Sequence, residues 1–430
     1  MSEEVFDLEE GEESVLEGDA PFRRGSARAA LAHRDFALVW WGSLASNVGT
    51  WMQNAALGAL AFKLTHSSGF VALLGFAQLG PLLALSLIGG MLADSIDRRW
   101  LLVATQVEQG ALSFLLAFFA AQHHPSHAAL FFCVLGIGIG NALFAPTMSA
   151  VQPQLVGKKD LPGAVSLQSV QLNLSRVIGP VIGGLIIPFV HAWGVFFINA
   201  LTYLFAIVTL LMVTIPRPYP DHSEQGIKRA LGGFRIARHD GLVGRCLIMI
   251  TTFSFFCLCF IGLLPVIAGD NLGMNVTGTA YGILFASFGS GAALGAIAVG
   301  TVWVDTSKAK IVRVGMPIFG VFLGVLAALR TPALAFPVVF FVGFFYFATI
   351  TSLSTVLQNH LSEQVRGRVM ALWIMGFGGT VPFGLLAGGW LADHTSVSTV
   401  LVVGVVFAFL LTAAIDLRGR ESPIGMETAP

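Results

Sequence analysis

The chain has 430 residues, of which 55% are hydrophobic and only 11% carry a charge, and its 24 basic side chains balance its 24 acidic ones. The mean hydropathy is +0.79. Soluble domains carry about 25% charged residues, so this chain lacks the residues needed to cover a water-facing surface. The composition therefore excludes a soluble globular protein and favours a protein embedded in a lipid bilayer.

The chain begins with an acidic segment. Its first 20 residues contain nine acidic residues and no basic one, which is the reverse of the basic start of a signal peptide. We therefore expect no cleavable signal peptide. Residues 1–30 are assigned to a cytoplasmic tail, which is expected to be disordered because of its charge.

Twelve apolar runs follow, each long enough to cross a bilayer whose hydrocarbon core of about 30 Å requires about 20 residues of α-helix. Helices are expected because backbone groups in lipid must bond within their own segment, and the runs are too long for barrel strands. The sequence thus predicts an all-α polytopic membrane protein with twelve transmembrane helices. In chain order the predicted helices cover residues 36–62, 70–93, 100–121, 127–150, 164–189, 194–215, 242–268, 277–302, 311–329, 333–356, 366–391 and 397–416.

Lysine and arginine residues predict the orientation, because they are concentrated in the cytoplasmic loops of membrane proteins. If the N-terminus is cytoplasmic, 21 basic residues fall in inside segments, only Lys63 and Arg330 fall in outside loops, and Arg176 lies within the membrane. The sequence therefore predicts a multi-pass protein of the plasma (inner) membrane with both termini in the cytoplasm.

The longest predicted inside connection, residues 216–241, divides the helices into two groups of six. This division is typical of transporters built from two related halves. We predict an N-terminal six-helix bundle over residues 31–215, a C-terminal six-helix bundle over residues 242–416, and a cytoplasmic tail over residues 417–430.

Two short segments indicate symmetry between the halves. Gly-Gly-Met-Leu-Ala-Asp ends predicted helix 2 at residues 89–94, and Gly-Gly-Trp-Leu-Ala-Asp ends predicted helix 11 at residues 388–393. In a fold of nested inverted repeats, these segments occupy equivalent positions on opposite faces of the membrane.

The turn between predicted helices 2 and 3 carries the most specific motif. Gly90 allows a close approach of helices, and Asp94 offers an acceptor to the N-terminus of a neighbouring helix or to an arginine. Arg98 and Arg99 can pair with acidic groups when this face of the protein is closed. The turn resembles the loop 2–3 signature of the Major Facilitator Superfamily, with Asp97 where the superfamily usually has a second glycine.

Further segments resemble one branch of this superfamily, the enterobactin-exporter type, which is also called the transmembrane secretion effectors. The resemblance implies twelve helices in two pseudo-symmetric six-helix bundles and an exporter that works by alternating access. It also implies that Arg366 and Arg368 join the turn after helix 2 in a latch on the cytoplasmic face, with Asp94 near the N-terminus of helix 11. The similarity spans about residues 31–420 and rests on residues 47–53, 94–99, 155–164, 176–180 and 366–370.

Predicted helix 5 contains a proline and paired glycines, which together allow close packing and a flexible backbone. The segment Gly179-Pro180-Val-Ile-Gly183-Gly184 resembles the end of the antiporter signature of drug exporters in the superfamily. This resemblance favours antiport, and helix packing alone is the alternative.

Arg176 is the most informative single residue, because a cation at the bilayer centre costs about 3 kcal/mol. Ser166, Ser169, Asn173 and Arg176 share one helical face, which we expect to border a hydrated cavity or a partner acid. An anionic substrate group or a proton-exchanging carboxylate would explain the charge, and structural pairing is the alternative.

Other polar residues of the predicted helices are candidates for a substrate or proton pathway. Glu108 in predicted helix 3 is a second buried charge, interpreted either as a proton relay or as the partner of a basic loop residue. First helices line the central cavity of the resembled fold, although polar side chains often serve only to bond neighbouring helices. The candidates are Asn47, Gln53 and Asn54 in helix 1, Asn141 in helix 4, Asn173 and Arg176 in helix 5, and Gln358 in helix 10.

We interpret the chain as a secondary active transporter that exports a drug, a siderophore or a metabolite in exchange for protons. The alternatives are a nutrient importer on the same fold and a non-transporting signalling or structural membrane protein. The expected partners are a small-molecule substrate and the lipid bilayer, with no nucleic acid, and the expected state is a monomer. No cofactor and no metal site are expected, and the shortage of buried catalytic groups argues against an enzyme.

Overall fold

The structure, a computed structural model, describes residues 25–215, 234–415 and 417. The predictions for the acidic tail, for most of the central loop and for nearly all of the C-terminal tail lie outside the described residues. The described chain is built from helices. After a short helix, Ala27–Ala32, comes Arg34–Thr65, and ten apolar spans that are long enough to cross a membrane follow it. One of these spans, Lys159–Leu211, contains two helices separated at His191, so the described residues form twelve long helices. The predicted all-α fold is therefore confirmed.

The first six helices form the N-terminal half. They are α1 (Arg34–Thr65), α2 (Ser68–Ser95), α3 (Arg98–Ala120), α4 (His127–Gly157), α5 (159–190) and α6 (192–211). The last three follow one another with backbone breaks only at Gly157, where φ is 71°, and at His191, where φ is 58°. Glycine adopts a positive φ without steric cost, so Gly157 is a suitable residue for the change of direction between α4 and α5.

The last six helices form the C-terminal half. They are α7 (Gly241–Gly262), α8 (Thr279–Gly300), α9 (Lys308–Ala328), α10 (Pro332–His360), α11 (Glu363–Gly378 and Val381–His394) and α12 (Val397–Ala414). Helix α11 is interrupted between its two parts because Pro382 has no N–H to donate to the carbonyl of Gly378. After α7, short turns continue the chain through the π-helical segment Ile267–Asn271.

Side-chain caps fix the starts of several helices. The Asp97 carboxylate accepts a hydrogen bond from the N–H of Arg99 at 3.0 Å, so the residue that replaces the superfamily glycine is the N-cap of α3. Asp240 accepts the N–H groups of Leu242 and Val243 at the start of α7, and His360 at the end of α10 lies 2.9 Å from its other oxygen. Burial raises the pKa of Asp240, but the donors from Val243 and His360 outweigh it, so the net pKa lies below its ordinary value.

The two faces of the helix bundle are named here by the elements they carry. The terminal face holds Ala27 and Ala414, and the opposite face holds Thr65 and His394. The apolar interior contains all four cysteines, which are buried and free, as expected for small hydrophobic residues.

Candidate functional site

A cavity of about 470 Å³ lies between the two halves of the protein. Helices α1 to α6 supply most of its polar wall, whereas α7, α8, α10 and α11 supply a mainly apolar and aromatic wall. Its size and composition are typical of a small-molecule site, which is concave and largely apolar with a few placed polar groups. The polar lining residues include Ser43, Ser46, Asn47, Thr50, Asn54, Gln78, Gln106, Gln109, Asn141 and Arg176, and the aromatic ones include Trp51, Tyr203, Tyr281, Phe285, Tyr346 and Phe377.

Arg176 on α5 is the single charged residue among the described residues that line this cavity. Its Cζ atom lies 5.2 Å from the centre of the Trp51 ring and 4.6 Å from that of Phe347. Its Nη1 atom is buried and has no hydrogen-bond partner, and none of the described carboxylates forms an ion pair with it. Cation–π contacts with two rings stabilise the charge in part, but they satisfy none of its N–H donors.

Three of the asparagines proposed from the sequence do line the cavity: Asn47, Asn54 and Asn141. The Asn54 Oδ1 atom accepts a hydrogen bond from Gln78 Nε2 at 2.5 Å, which connects α1 with α2. Gln53 instead lies in the interface between α1 and α6, where its Oε1 atom accepts a bond from Asn199 Nδ2 at 2.9 Å. Gln53 is almost fully buried there, so the structure gives it a role in helix packing and not a place on the cavity wall.

Two other candidates, Asn173 and Gln358, lie away from the cavity wall. Asn173 donates to the carbonyl of Ser169 one helical turn earlier, at 2.9 Å. Gln358 is exposed near the end of α10 and donates to the Ser354 hydroxyl, also at 2.9 Å. The predicted polar face of helix 5 therefore contributes only Arg176 to the cavity.

Glu108 on α3 lies against α4, next to two glycines. An added Cβ at Gly136 would lie 3.5 Å from Glu108 Oε1, and one at Gly140 would collide with Oε2. The Oε2 atom is buried and has no hydrogen-bond partner among the described residues. A larger residue at Gly140 would displace this carboxyl group, so the glycine provides its space.

Sequence reasoning missed Tyr203 on α6, which connects the cavity wall with α3. Its hydroxyl lies 3.1 Å from Thr50 Oγ1 and donates to Gln109 Oε1 at 3.3 Å. Gln109 is the neighbour of Glu108 in the chain, so hydrogen-bonding groups extend from the cavity to the segment that carries the buried carboxyl. The glutamines at 106 and 109 within an apolar helix were the available signal.

The glycines of the helix 5 motif bring α5 close to helices of both halves. A Cβ at Gly179 would lie 2.6 Å from the Cβ of Trp51, and one at Gly183 would lie 3.4 Å from the Cα of Met52, both on α1. A Cβ at Gly184 would collide with the backbone of Gly282 on α8. The motif therefore forms part of the interface between the two halves, on the side of the cavity that lies toward the opposite face.

A carboxylate also joins the two halves at the opposite face. Asp393 at the end of α11 accepts the Ser67 hydroxyl at 2.7 Å, the N–H of Ser68 at 2.6 Å and the N–H of Gly69 at 2.9 Å. The first N–H groups of a helix have no partner within the helix, and its N-terminus carries partial positive charge. Asp393, the last residue of the repeated segment at 388–393, therefore caps α2 of the other half.

Three of the proposed latch residues of the terminal face, Arg98, Arg99 and Arg366, donate hydrogen bonds to carbonyl groups of their own halves. Arg98 Nη1 donates to the carbonyl of Ala150 at 3.4 Å, and Arg99 Nη2 donates to the carbonyl of Leu211. Arg366 Nη2 donates to the carbonyl of Leu361 at 3.4 Å, and Arg368 is exposed. Gly90 and Asp94 lie in the last turns of α2.

The family profile that matches this chain and the relatives similar to it in sequence agree with each other. The profile of the family described as transmembrane secretion effector matches residues 25–426. The chain is 27% identical over 407 residues to the enterobactin exporter EntS of Escherichia coli O1:K1, covering 91% of this chain and 94% of that protein. It is also 27% identical, over 403 residues, to EntS of Shigella boydii serotype 4, with the same coverage.

Solved structures share its fold. The nucleoside transporter NupG superposes with a TM-score of 0.71 at 12% identity, covering 88% of this chain and 97% of that one. A bacterial homologue of the human lysosomal transporter Spinster, in an inward-facing unoccupied conformation, gives a TM-score of 0.67 at 16% identity, covering 89% of this chain and 96% of that one. These similarities are confined to the fold.

Proposed function

Because the chain belongs to the transmembrane secretion effector family of Major Facilitator Superfamily transporters, we propose that it exports a small molecule by alternating access. The observation that carries this proposal is the cavity between the halves, whose wall is built by both. A ligand bound there contacts both halves, so rocking one half against the other would move the opening of the cavity from one face to the other.

The distribution of basic residues supports a cytoplasmic terminal face and an external opposite face. In that orientation, the contacts of Asp393 with α2 and of Gly184 with Gly282 close the external side of the cavity. We therefore assign the structure to an inward-facing state, in which substrate enters from the cytoplasm.

The repeated segment supports a matching latch for the other state. Asp393 ends α11 and caps α2 across the seam at the external face. Asp94 ends α2 in the equivalent sequence, and α11 begins after Ser362 on the terminal face. When the cytoplasmic side closes, Asp94 caps the N-terminus of α11, and the nearby Arg366 exchanges its carbonyl partner for an acidic one.

Glu108 is the proposed site of proton exchange. A carboxyl group with a buried oxygen and no hydrogen-bond partner is more easily kept neutral than one exposed to water. Tyr203 and Gln109 connect its neighbourhood with Thr50 on the cavity wall. Protonation of Glu108 from outside and release to the cytoplasm would couple the return of the empty transporter to proton entry.

The test compares small-molecule levels inside and outside cells that lack or overexpress the protein, by untargeted mass spectrometry. We expect at least one compound to accumulate inside on deletion and outside on overexpression. The opposite pattern would establish import and contradict the proposal. Overexpression of the Arg176→Gln variant is the control that separates transport through this cavity from indirect metabolic effects.

A further inference from the structure

We propose that Arg176 binds an oxyanion of the transported molecule, a carboxylate or a group of the same planar shape, on a ligand with an aromatic body. This inference rests on the proposed function, because it assigns a substrate class to the cavity of that transporter. It makes Arg176 a residue that determines specificity, and it excludes cationic amphipathic molecules as preferred substrates.

Arg176 has a hydrogen-bond donor without an acceptor. Its Nη1 atom is buried without a hydrogen-bond partner, and no described carboxylate pairs with it. The residue lines the cavity and is partly exposed to it. A buried charge is costly unless it is paired and hydrogen-bonded, so an anion that enters the cavity is stabilised by groups the protein leaves unsatisfied.

The aromatic contacts of Arg176 leave N–H groups of its guanidinium available to a ligand. The Arg176 Cζ atom lies over the Trp51 ring and over the Phe347 ring, 5.2 and 4.6 Å from their centres. Ring faces attract the positive charge but leave the buried Nη1 atom without a hydrogen-bond acceptor, so an N–H edge of the guanidinium is left for a partner. A planar oxyanion that lies in the plane of the guanidinium can accept two parallel hydrogen bonds from this edge, which a neutral carbonyl or a hydroxyl cannot match.

Aromatic residues line the same cavity as Arg176. The Trp51 and Phe285 rings are 6.3 Å apart in an edge-to-face arrangement, and the Tyr346 ring also lines the cavity. The cavity volume of about 470 Å³ suits a molecule of modest size. An aromatic body attached to the anion would pack between these rings, because aromatic pairs favour such arrangements.

A second unsatisfied group lies farther along α8. The Tyr281 hydroxyl is buried without a partner, and the residue lines the cavity. Gly282 packs on Gly184, and Gly289 packs on the backbone of Arg176, so α8 runs antiparallel to α5 in this register. The eight residues between the two contacts on α5 span about 12 Å. A ligand of that length can place its anion at Arg176 and a polar end at Tyr281.

The test measures binding by purified protein in detergent micelles, using equilibrium dialysis against empty micelles. The probes are dansylglycine, which is an anion, its uncharged amide dansylglycinamide, and dansyl-ethylenediamine, which is a cation. They share one aromatic body and differ in the charge of a short arm. The variants are Arg176→Gln, Arg176→Lys and, as a matched control, Arg313→Gln, which changes an exposed arginine of α9 outside the cavity.

We expect the wild type and Arg313→Gln to bind the anion about ten- to hundredfold more tightly than the amide, as is typical of hydrogen bonds to a charged group. The preference for the anion over the amide should disappear in Arg176→Gln. It should decrease in Arg176→Lys, because lysine keeps the charge but lacks the two parallel N–H donors of a guanidinium. Thermal unfolding of each variant verifies that it is folded. Loss of the preference in a folded Arg176→Gln protein would establish the contact.

Wild-type protein that binds the anion no better than the amide would overturn the inference. So would an anion preference that survives in Arg176→Gln. Because binding is measured without transport, a protein that prefers the anion but exports nothing would contradict the proposed function and leave this inference standing. A protein that exports compounds but binds the anion no better than the amide would support the proposed function and contradict this inference.

Discussion

Replacing Asp393 by asparagine tests whether this carboxylate holds the opposite face closed. The side chain accepts three hydrogen bonds from Ser67, Ser68 and Gly69 at the start of α2, at 2.6–2.9 Å. An amide oxygen can still accept a bond, but it has no charge to complement the helix N-terminus. Because Asp393 is exposed, we expect its charge to stabilise this contact by only about 1–2 kcal/mol in total, the lower range for charged hydrogen bonds at a helix N-terminus.

This energy belongs to the state in which the opposite face is closed, since the contact joins the two halves there. Its loss should shift the equilibrium toward the open state by about five- to thirtyfold, because about 1.4 kcal/mol corresponds to a factor of ten. The assay uses a Leu79→Cys reporter on the cavity wall and a membrane-impermeant maleimide applied outside intact cells. The four native cysteines are buried, so their background labelling should be low.

We expect the labelling rate of the reporter to rise by about five- to thirtyfold with Asp393→Asn, in line with the shift above. The matched control is Asp305→Asn, which changes an exposed acid on the terminal face and should leave the rate unchanged. An unchanged rate with Asp393→Asn would refute the assignment of this contact as an external latch.

Three further outcomes are expected. Gly184→Val should force α5 away from α8 and lower the thermal unfolding temperature by several degrees. The control, Gly300→Ala, has open space around its Cβ position and should leave the unfolding temperature unchanged. Equal unfolding temperatures for the two variants would contradict the close packing of α5 on α8. Asp240→Asn should destabilise the protein by about 1 kcal/mol at neutral pH, because the amide can still accept the α7 cap bonds but lacks the negative charge that favours the helix N-terminus and the His360 contact. Hydrogen bonds outweigh burial and hold the Asp240 pKa below its ordinary value, so the stability difference between wild type and Asp240→Asn is present above that ordinary value and is lost as the pH falls through the lowered pKa. Unfolding curves from pH 3 to 7 measure this difference in stability. A difference that grows toward low pH would contradict the prediction. Glu108→Gln should keep substrate exchange in proteoliposomes but abolish transport driven by a pH gradient, and pH-driven transport at the wild-type rate would exclude Glu108 as the proton site.

The helix pattern was readable from the sequence because each crossing requires about 20 apolar residues, a strong local signal. Most ends agree within a few residues, but α4 continues to Gly157 and not to 150, and α6 ends near 211 and not at 215. The interruption of α11 before Pro382 was not predicted, although the proline was its signal.

The site was less predictable because it depends on which face of each helix meets which neighbour. The sequence offered both Gln53 and Asn54 of helix 1 as candidates for the pathway. Adjacent residues differ by about 100° around a helix, and of these two only Asn54 reaches the cavity. The aromatic neighbours of Arg176 come from α1 and α10, distant in sequence, and no local pattern identifies them. The repeat at 388–393 did indicate a special position, and the structure shows its aspartate bound to α2.

Transport in everted membrane vesicles tests export by alternating access most directly, because their cytoplasmic face is turned outward. The compound retained by cells that lack the protein is added outside vesicles with and without the chain, and the vesicle interior is then acidified. We predict that the compound accumulates inside only in vesicles that contain the chain and only while the interior is more acidic. Accumulation in right-side-out vesicles instead, or no movement in either, would contradict export by this protein.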